Sequence, residues 1–250
     1  ALYYSNRLMQ LPLAIFGIAI ATVSLPLMSK SASVKNITEL KETLSLSLRT
    51  MIFVICPAMV GLMTLTVPII RLLFERGKFD TVATYLTADA LFYYSLGLIA
   101  YSGVKIVAAA FYSLKDTKTP VKIAGICISL NVMLNLLLMG PLGVGGLALA
   151  TAISSTVNLV SLTILLRRRI GHLGLRKILK TVEQVVTVSA AMGLLCYFLG
   201  YYVFNHSKFL SVSIPMLVGI IFYFSSAYFL KIEEAKPLWS FLQREEIGEL

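Results

Sequence analysis

Residues 121–166 read VKIAGICISLNVMLNLLLMGPLGVGGLALATAISSTVNLVSLTILL. The stretch holds two apolar runs of about 20 residues each, which is the length that crosses the hydrocarbon core of a bilayer as a helix. A Gly-Pro-Leu-Gly segment at 140–143 separates the runs and predicts a tight turn. The pattern therefore predicts two antiparallel helices that are neighbours in a membrane.

Similar apolar runs recur along the rest of the chain. The seven predicted spans cover residues 8–28, 51–73, 86–114, 121–139, 144–166, 182–204 and 210–230. Hydrophobic residues make up 58% of the 250 positions and charged residues only 14%, which is too little polar surface for a soluble domain of this size. We therefore predict an all-α integral membrane protein with about seven transmembrane helices. Because the sequence begins at Ala1, already in a membrane-type stretch, we expect a piece of a longer protein.

The net charge of +10 comes from lysines and arginines in the short loops. Sixteen of these residues lie after the first, third and fifth spans or in the tail, and five lie at the opposite ends of the spans. This bias predicts a cytoplasmic C-terminus. Because membrane orientation accounts for the basic residues, they do not indicate a nucleic-acid partner. A short surface helix is predicted at 37–46. The tail at 237–250 is expected either to lie along the membrane interface, with Trp239 as its anchor, or to be a frayed soluble segment.

The sequence offers no arrangement of residues for covalent catalysis. The two histidines fall on opposite sides of the predicted membrane, and acidic residues are scarce within the spans. The three cysteines each lie in an apolar span without metal-ligand spacing, so packing is their expected role. We predict neither an enzyme nor a bound cofactor or metal.

Polar residues within spans are costly, and the first group of them is Asn6, Arg7 and Gln10. On a helix, Arg7, Gln10, Ala14, Gly17 and Ala21 form nearly one stripe, so a polar mouth leads to a groove of small residues. One interpretation is a water-filled cavity whose arginine binds an anionic ligand such as a phosphate. The other is an arginine that reaches to lipid headgroups while the small residues pack against a neighbouring helix.

Lys105 is the second such residue, and it lies well inside the third span. A cation that faces a cavity is favoured there over an ion pair with Asp89, four turns away.

The third group is Asn131 and Asn135, one turn apart and close to Thr151 across the predicted turn. Their oxygens could bind a small cation such as sodium, or their amides could hydrogen-bond one helix to the next. Because the group has no carboxylate, the bond between helices is favoured.

Several segments of the sequence resemble segments of a known protein family. These are YYSNRLMQLP at 3–12, FGIA at 16–19, PIIRLLFERGKF at 68–79, AFYSLKDTKTP at 110–120, NVMLN at 131–135, PLG at 141–143 and GLALAT at 146–151. Their order and spacing are similar to those of the MurJ/MviN lipid II flippases, members of the multidrug/oligosaccharidyl-lipid/polysaccharide (MOP) exporter superfamily.

The resemblance implies a fourteen-helix architecture of two pseudo-symmetric lobes and a final helix pair, of which this chain resembles helices eight to fourteen. Residues 1–168 would be the C-terminal lobe, as an incomplete bundle of five helices. Residues 169–250 would be the final transmembrane pair with its cytoplasmic tail. The N-terminal lobe of the same protein would be the missing partner.

The resemblance also implies an activity, namely the flipping of lipid II or a related polyprenyl-diphosphate lipid across the bacterial plasma membrane by alternating access. Arg7 matches an arginine of the family's substrate cavity, and Asn6, Gln10 and Lys105 are the further candidate substrate-binding residues. Asn131, Asn135 and Thr151 match a cation site of some relatives, in which an acidic residue stands at the position of Asn135. Alternatives are another lipid-linked oligosaccharide or drug exporter of the superfamily, a membrane-embedded transferase, and a non-transporting scaffold.

Overall fold

The computed structural model describes residues 1–172, 174–204 and 207–235, and every regular element within them is helical. The α-helices are α1 (Leu2–Pro12), α2 (Ala19–Ser33), α3 (Ile37–Thr64), α4 (Thr66–Phe74), α5 (Thr81–Leu96), α6 (Leu98–Ser113), α7 (Lys118–Ile170), α8 (Leu175–Phe198) and α9 (Leu210–Phe229). Two π-helical segments, Leu13–Ile18 and Leu199–Val203, and a 3₁₀ turn at Glu233–Ala235 complete them. The tail predicted at 237–250 lies outside the described residues.

Within the described residues, six helical stretches are long and apolar enough to cross a membrane, and one of them contains two of the predicted spans. That helix is α7, which is interrupted at Gly143, where φ is 53° and ψ is −127°. A left-handed φ suits glycine, and it allows the chain to reverse at this point. Seven spans therefore result, as predicted.

The two halves of α7 pack side by side. A Cβ on Gly146 would collide with the backbone carbonyl of Leu138, and the amide of Asn131 reaches the hydroxyl of Ser154 at 3.2 Å. The antiparallel hairpin predicted from the 140–143 turn is thus present.

The second span differs from its prediction, because the separate surface helix expected at 37–46 is the first part of α3. The Asn36 side chain caps this helix by accepting a hydrogen bond from the Glu39 amide at 3.2 Å. No break follows until Leu65, so the polar start and the apolar body form one continuous helix. Polarity changes along this helix without any change in backbone conformation.

The core of the bundle lies around α3, which packs against α2, α6 and α8. Phe53, Met51 and Ile55 of α3 are fully buried. The hydroxyl of Tyr223 in α9 donates to the carbonyl of Phe53 at 2.6 Å, so the final helix pair is joined to α3 by a polar contact as well as by apolar packing.

Candidate functional site

An open groove of about 420 Å³ lies at the start of α1, and we call this end of the bundle the Arg7 end. Leu2, Tyr3, Asn6, Arg7, Gln10 and Tyr94 line the groove. The structure therefore brings together the three polar residues that the sequence predicted there, because they occupy adjacent turns of one helix. Gln10 donates a hydrogen bond to the side-chain oxygen of Asn6, which fixes both amides at the rim.

Arg7 is exposed, and its guanidinium makes a single weak hydrogen bond to the described residues. Its Nη2 lies 3.4 Å from the Tyr3 hydroxyl, and its Cζ lies 5.4 Å from the centre of the Tyr3 ring. No carboxylate pairs with it in residues 1–172, 174–204 or 207–235. Most of its donors are thus available to an anion, while the aromatic ring beneath it stabilises the positive charge.

The stripe of small residues predicted below Arg7 is interrupted. The segment Leu13–Ile18 is π-helical, and its wider turn rotates the residues that follow it. Ala14 is exposed, like Arg7 and Gln10, but Gly17 is buried against Ser102 of α6, where an added Cβ would come within 2.7 Å of the Ser102 Oγ. Arg7 and Gln10 therefore line the groove, whereas Gly17 packs between helices.

Lys105 lies far from Arg7. The Ser5 hydroxyl donates to the Thr87 carbonyl at 2.7 Å, and Gly17 packs on Ser102, so the first and third spans run parallel in a register that shifts by three residues between these contacts. In that register Arg7 lies beside α5, about 20 Å from Lys105 along the helix axis. The two cations therefore cannot hold the same small group.

The side chain of Lys105 is exposed, and no ion pair joins it to Asp89 in the described structure. The Asp89 carboxylate instead packs closely against Gly145 of α7. The described structure therefore does not contain the ion pair between Lys105 and Asp89 that was the alternative to a cavity-facing lysine.

The predicted polar group on α7 is assembled. Asn131 Nδ2 donates to the Ser154 hydroxyl at 3.2 Å and to the Thr151 hydroxyl at 3.4 Å, and Asn135 Nδ2 donates to Asn131 Oδ1 at 3.1 Å. Asn135 Oδ1 is buried, and no hydrogen-bond partner reaches it from the described part of the chain. The two bonds from Asn131 connect the two halves of the hairpin, whereas the bond from Asn135 stays within the first half. The oxygens of this group are of the kind that bind small cations.

Two aromatic residues of the Arg7 groove, Tyr3 and Tyr94, are not among the site residues predicted from the sequence. Tyr3 lies one helical turn before Arg7, and that spacing could have indicated it. Tyr94 comes from α5, and only the packing of α1 on α5 brings it to the groove.

A multi-pass helical bundle with irregular helix segments at membrane depth and a cationic groove at one end has the architecture of a membrane transporter. More particularly, the chain belongs to the family described as "Lipid II flippase MurJ", whose model matches residues 1–219. It is 39% identical over 161 residues to the probable lipid II flippase MurJ of Vibrio cholerae, covering 64% of this chain and 31% of that protein. The corresponding protein of Rickettsia prowazekii is 31% identical over 255 residues, covering 92% of this chain and 47% of the relative.

Among solved structures, the chain matches "Lipid II flippase MurJ, inward closed conformation" with a TM-score of 0.79 and 28% identity. The match covers 92% of this chain and 46% of that one. The predicted all-α fold of the MOP-transporter type is thereby confirmed, and the family is one of transporters rather than enzymes. The chain spans less than half the length of these relatives.

Proposed function

We propose that this chain is the C-terminal part of a transporter that flips lipid II across the bacterial plasma membrane. The observation that carries the proposal is that the Arg7 guanidinium is exposed at the rim of a groove and has no carboxylate partner among the residues that the structure describes. The probable lipid II flippases among the relatives support the choice of substrate. A lipid-linked diphosphate offers the paired oxygens that a planar guanidinium recognises best.

In this mechanism the chain performs no covalent chemistry. Arg7 would hold the diphosphate, and the amides of Asn6 and Gln10 at the same rim would bind sugar or phosphate oxygens. The two lobes would then rock about the bound head group and expose it to the other side of the membrane. Lys105, about 20 Å further along the parallel helices, would meet the head group at a different stage from Arg7.

For the α7 group we propose a structural role. The two hydrogen bonds from Asn131 to Thr151 and Ser154 support a tie between the halves of the hairpin, and the bond from Asn135 holds the Asn131 side chain. The absence of a carboxylate from this group leaves a bound sodium ion without the charge that usually compensates it.

The finer features of localisation and organisation belong to the same proposal. The C-terminus would be cytoplasmic, because lysines and arginines are concentrated at that end of the spans. Residues 1–168 would be the incomplete lobe and 169–250 the final helix pair with its tail. The partners would be the N-terminal lobe of the same protein, membrane lipids and the polyprenyl-diphosphate substrate.

The decisive experiment is complementation of a flippase-depleted strain by full-length protein with substitutions at Arg7. We expect Arg7→Ala to abolish growth and Arg7→Lys to be clearly impaired, because lysine keeps the charge but loses the planar fork. Membrane levels of each variant would be measured by immunoblot. Arg76→Ala is the matched control, since Arg76 is an exposed arginine in the loop after α4 and should be replaceable.

A snorkelling arginine would give a different result. Lysine would then substitute fully, because both side chains can reach lipid headgroups. Normal growth with Arg7→Ala at normal membrane levels would rule out the role of Arg7 in substrate binding.

A further inference from the structure

A second cavity, of about 460 Å³, lies at the Arg7 end between α4, α5 and the final helix pair. We call it the Arg71 pocket. Val67, Pro68 and Gly200 contribute apolar surface to it, and Arg71, Glu75 and Lys208 contribute charge. The Arg71 pocket is distinct from the Arg7 groove, which shares none of its lining residues.

Packed aromatic rings stand beside the Arg71 pocket on the side of α1. The Tyr4 ring centre lies 4.6 Å from that of Phe74 and 5.8 Å from that of Phe79. Phe74 is one helical turn beyond Arg71, so the Arg71 pocket and the Arg7 groove are at the same end of the bundle. Both would face the outside in the proposed orientation.

The charges in the Arg71 pocket are arranged around one carboxylate. Lys208 Nζ donates to Glu75 Oε1 at 3.0 Å and to the Glu75 carbonyl at 3.2 Å. Arg71 Nε and the Thr84 hydroxyl donate to Glu75 Oε2 at 3.3 and 3.2 Å. The hydrogen bond from Lys208, followed by the charges of Lys208 and Arg71, lowers the pKa of Glu75, so the carboxylate is ionised at neutral pH.

The Glu75 carboxylate neither neutralises all of the positive charge around it nor occupies all of the hydrogen-bond donors of Arg71. Two cations face one carboxylate, and that carboxylate already accepts three side-chain hydrogen bonds. Within the described residues, neither terminal nitrogen of the Arg71 guanidinium has a hydrogen-bond partner, and about a third of that side chain is exposed. Glu75 thus holds Arg71 by its Nε and leaves the outer edge of its guanidinium free for another anion.

We propose that the Arg71 pocket binds a phosphate group, carried by a lipid headgroup in the adjacent leaflet or present as free inorganic phosphate. The terminal nitrogens of Arg71 form a planar pair of donors that matches two phosphate oxygens, and Lys208 supplies a second positive charge. The apolar surface of Val67, Pro68 and Gly200 is suited to the first methylene groups of an attached lipid. The site is independent of the proposed flipping activity.

The test uses full-length protein purified in a maltoside detergent, which contains no phosphate. The thermal midpoint of unfolding is measured against increasing phosphatidylglycerol in mixed micelles, and separately against inorganic phosphate compared with chloride at equal ionic strength. A phosphate-free diacyl glycolipid controls for the acyl chains. The variants are Arg71→Gln and Arg71→Gln/Lys208→Gln, and Lys78→Gln is the matched control because Lys78 is an exposed cation of the same loop.

We expect phosphatidylglycerol to stabilise the wild type and Lys78→Gln equally, and the glycolipid not to stabilise either. The concentration for half-maximal stabilisation should rise about tenfold in the double variant, because charge-assisted hydrogen bonds are lost. Arg71→Gln alone keeps the ion pair of Lys208 with Glu75, so it should fold and show a smaller rise. Repeating the titrations in an Arg7→Ala background excludes binding at the Arg7 groove.

The two phosphate sources give different results. If phosphatidylglycerol stabilises the wild type and inorganic phosphate does not, the ligand is a lipid headgroup. If both stabilise the wild type and both effects are lost in the double variant, the phosphate group itself is the ligand. Equal titrations in the wild type and the double variant would overturn the proposal, as would equal stabilisation by the glycolipid. The cluster would then serve only to attach the loop after α4 to the final helix pair.

Discussion

The guanidinium of Arg49 lies 2.9 Å from the carboxylate of Glu234, and this contact joins the middle of α3 to the 3₁₀ turn that follows α9. The Glu234 side chain is only 2% exposed, and the Thr181 hydroxyl of α8 also donates to it at 3.1 Å. Glu233 pairs with the same arginine at 2.9 Å. Three elements of the chain therefore meet at a single buried carboxylate.

Removing one partner of this pair should be more damaging than removing both. Arg49→Met leaves the buried Glu234 without its counter-charge, and we expect the free energy of unfolding to fall by about 3–5 kcal/mol. The double variant Arg49→Met/Glu234→Gln should lose clearly less, because no buried charge remains. Denaturant unfolding in detergent, followed by circular dichroism, measures both. Equal losses in the two variants would show that the charge pairing itself is unimportant.

The close approach of the two halves of α7 predicts that alanine substitution will destabilise the protein at one glycine and have little effect at another. A Cβ at Gly146 would collide with the Leu138 backbone, whereas nothing lies within 4 Å of one at Gly140. Gly146→Ala should therefore lower the free energy of unfolding by about 1–3 kcal/mol, as overpacking usually does. Gly140→Ala should be close to neutral. Thermal unfolding of the two variants provides the comparison, and similar midpoints would contradict the packing of the hairpin.

The hydrogen bonds of Asn135 and Asn131 predict a stability that does not depend on sodium. Asn135→Ala should lower stability by about 1 kcal/mol, equally in sodium and potassium, because the Asn135 amide holds Asn131, whose own amide bonds to the other half of the hairpin. Asn158→Ala is the control, since none of the three amide hydrogen bonds of this group involves Asn158. A bound ion would instead stabilise the wild type as sodium replaces potassium, by ligand linkage. A rise of the wild-type midpoint in sodium would therefore contradict the structural role.

Orientation can be tested with single cysteines, because the structure identifies exposed positions at both ends of the bundle. In a background without Cys56, Cys127 and Cys196, a cysteine at Lys78 should react with an impermeant thiol reagent added outside intact cells. Cysteines at Ser33 and Thr117 should react only after the cells are made permeable. External labelling at Thr117 would reverse the proposed orientation.

The number of spans and the α7 hairpin could be predicted because they depend on local properties. Apolar runs of bilayer length are visible directly in the sequence, and the glycine that turns α7 has a conformation that glycine adopts readily. The predicted start of the second span was wrong, because a hydropathy pattern locates the part of a helix that lies in the membrane and not the residue at which the helix begins. The Asn36 cap that starts this helix lies well before its apolar part.

The candidate sites also differ in how far the sequence could predict them. Asn6, Arg7 and Gln10 could be grouped from the sequence, since one helix places them together. The Arg71 pocket could not, because Lys208 reaches Glu75 from 133 positions later in the chain. Nor could the burial of Gly17, because a π-helical segment alters the periodicity on which the prediction depended.

The π-helical segment Leu13–Ile18 places a constraint on the length of the first span. A π turn contains one residue more than an α turn, so deleting any one residue between positions 13 and 18 would restore a regular α-helix. That change would rotate the part that carries Arg7 by about 100° relative to Ala19–Ser33, and it would turn the guanidinium away from the groove or Gly17 away from Ser102. Insertions and deletions here should therefore be far more harmful than apolar exchanges at the exposed positions Ile15 and Phe16.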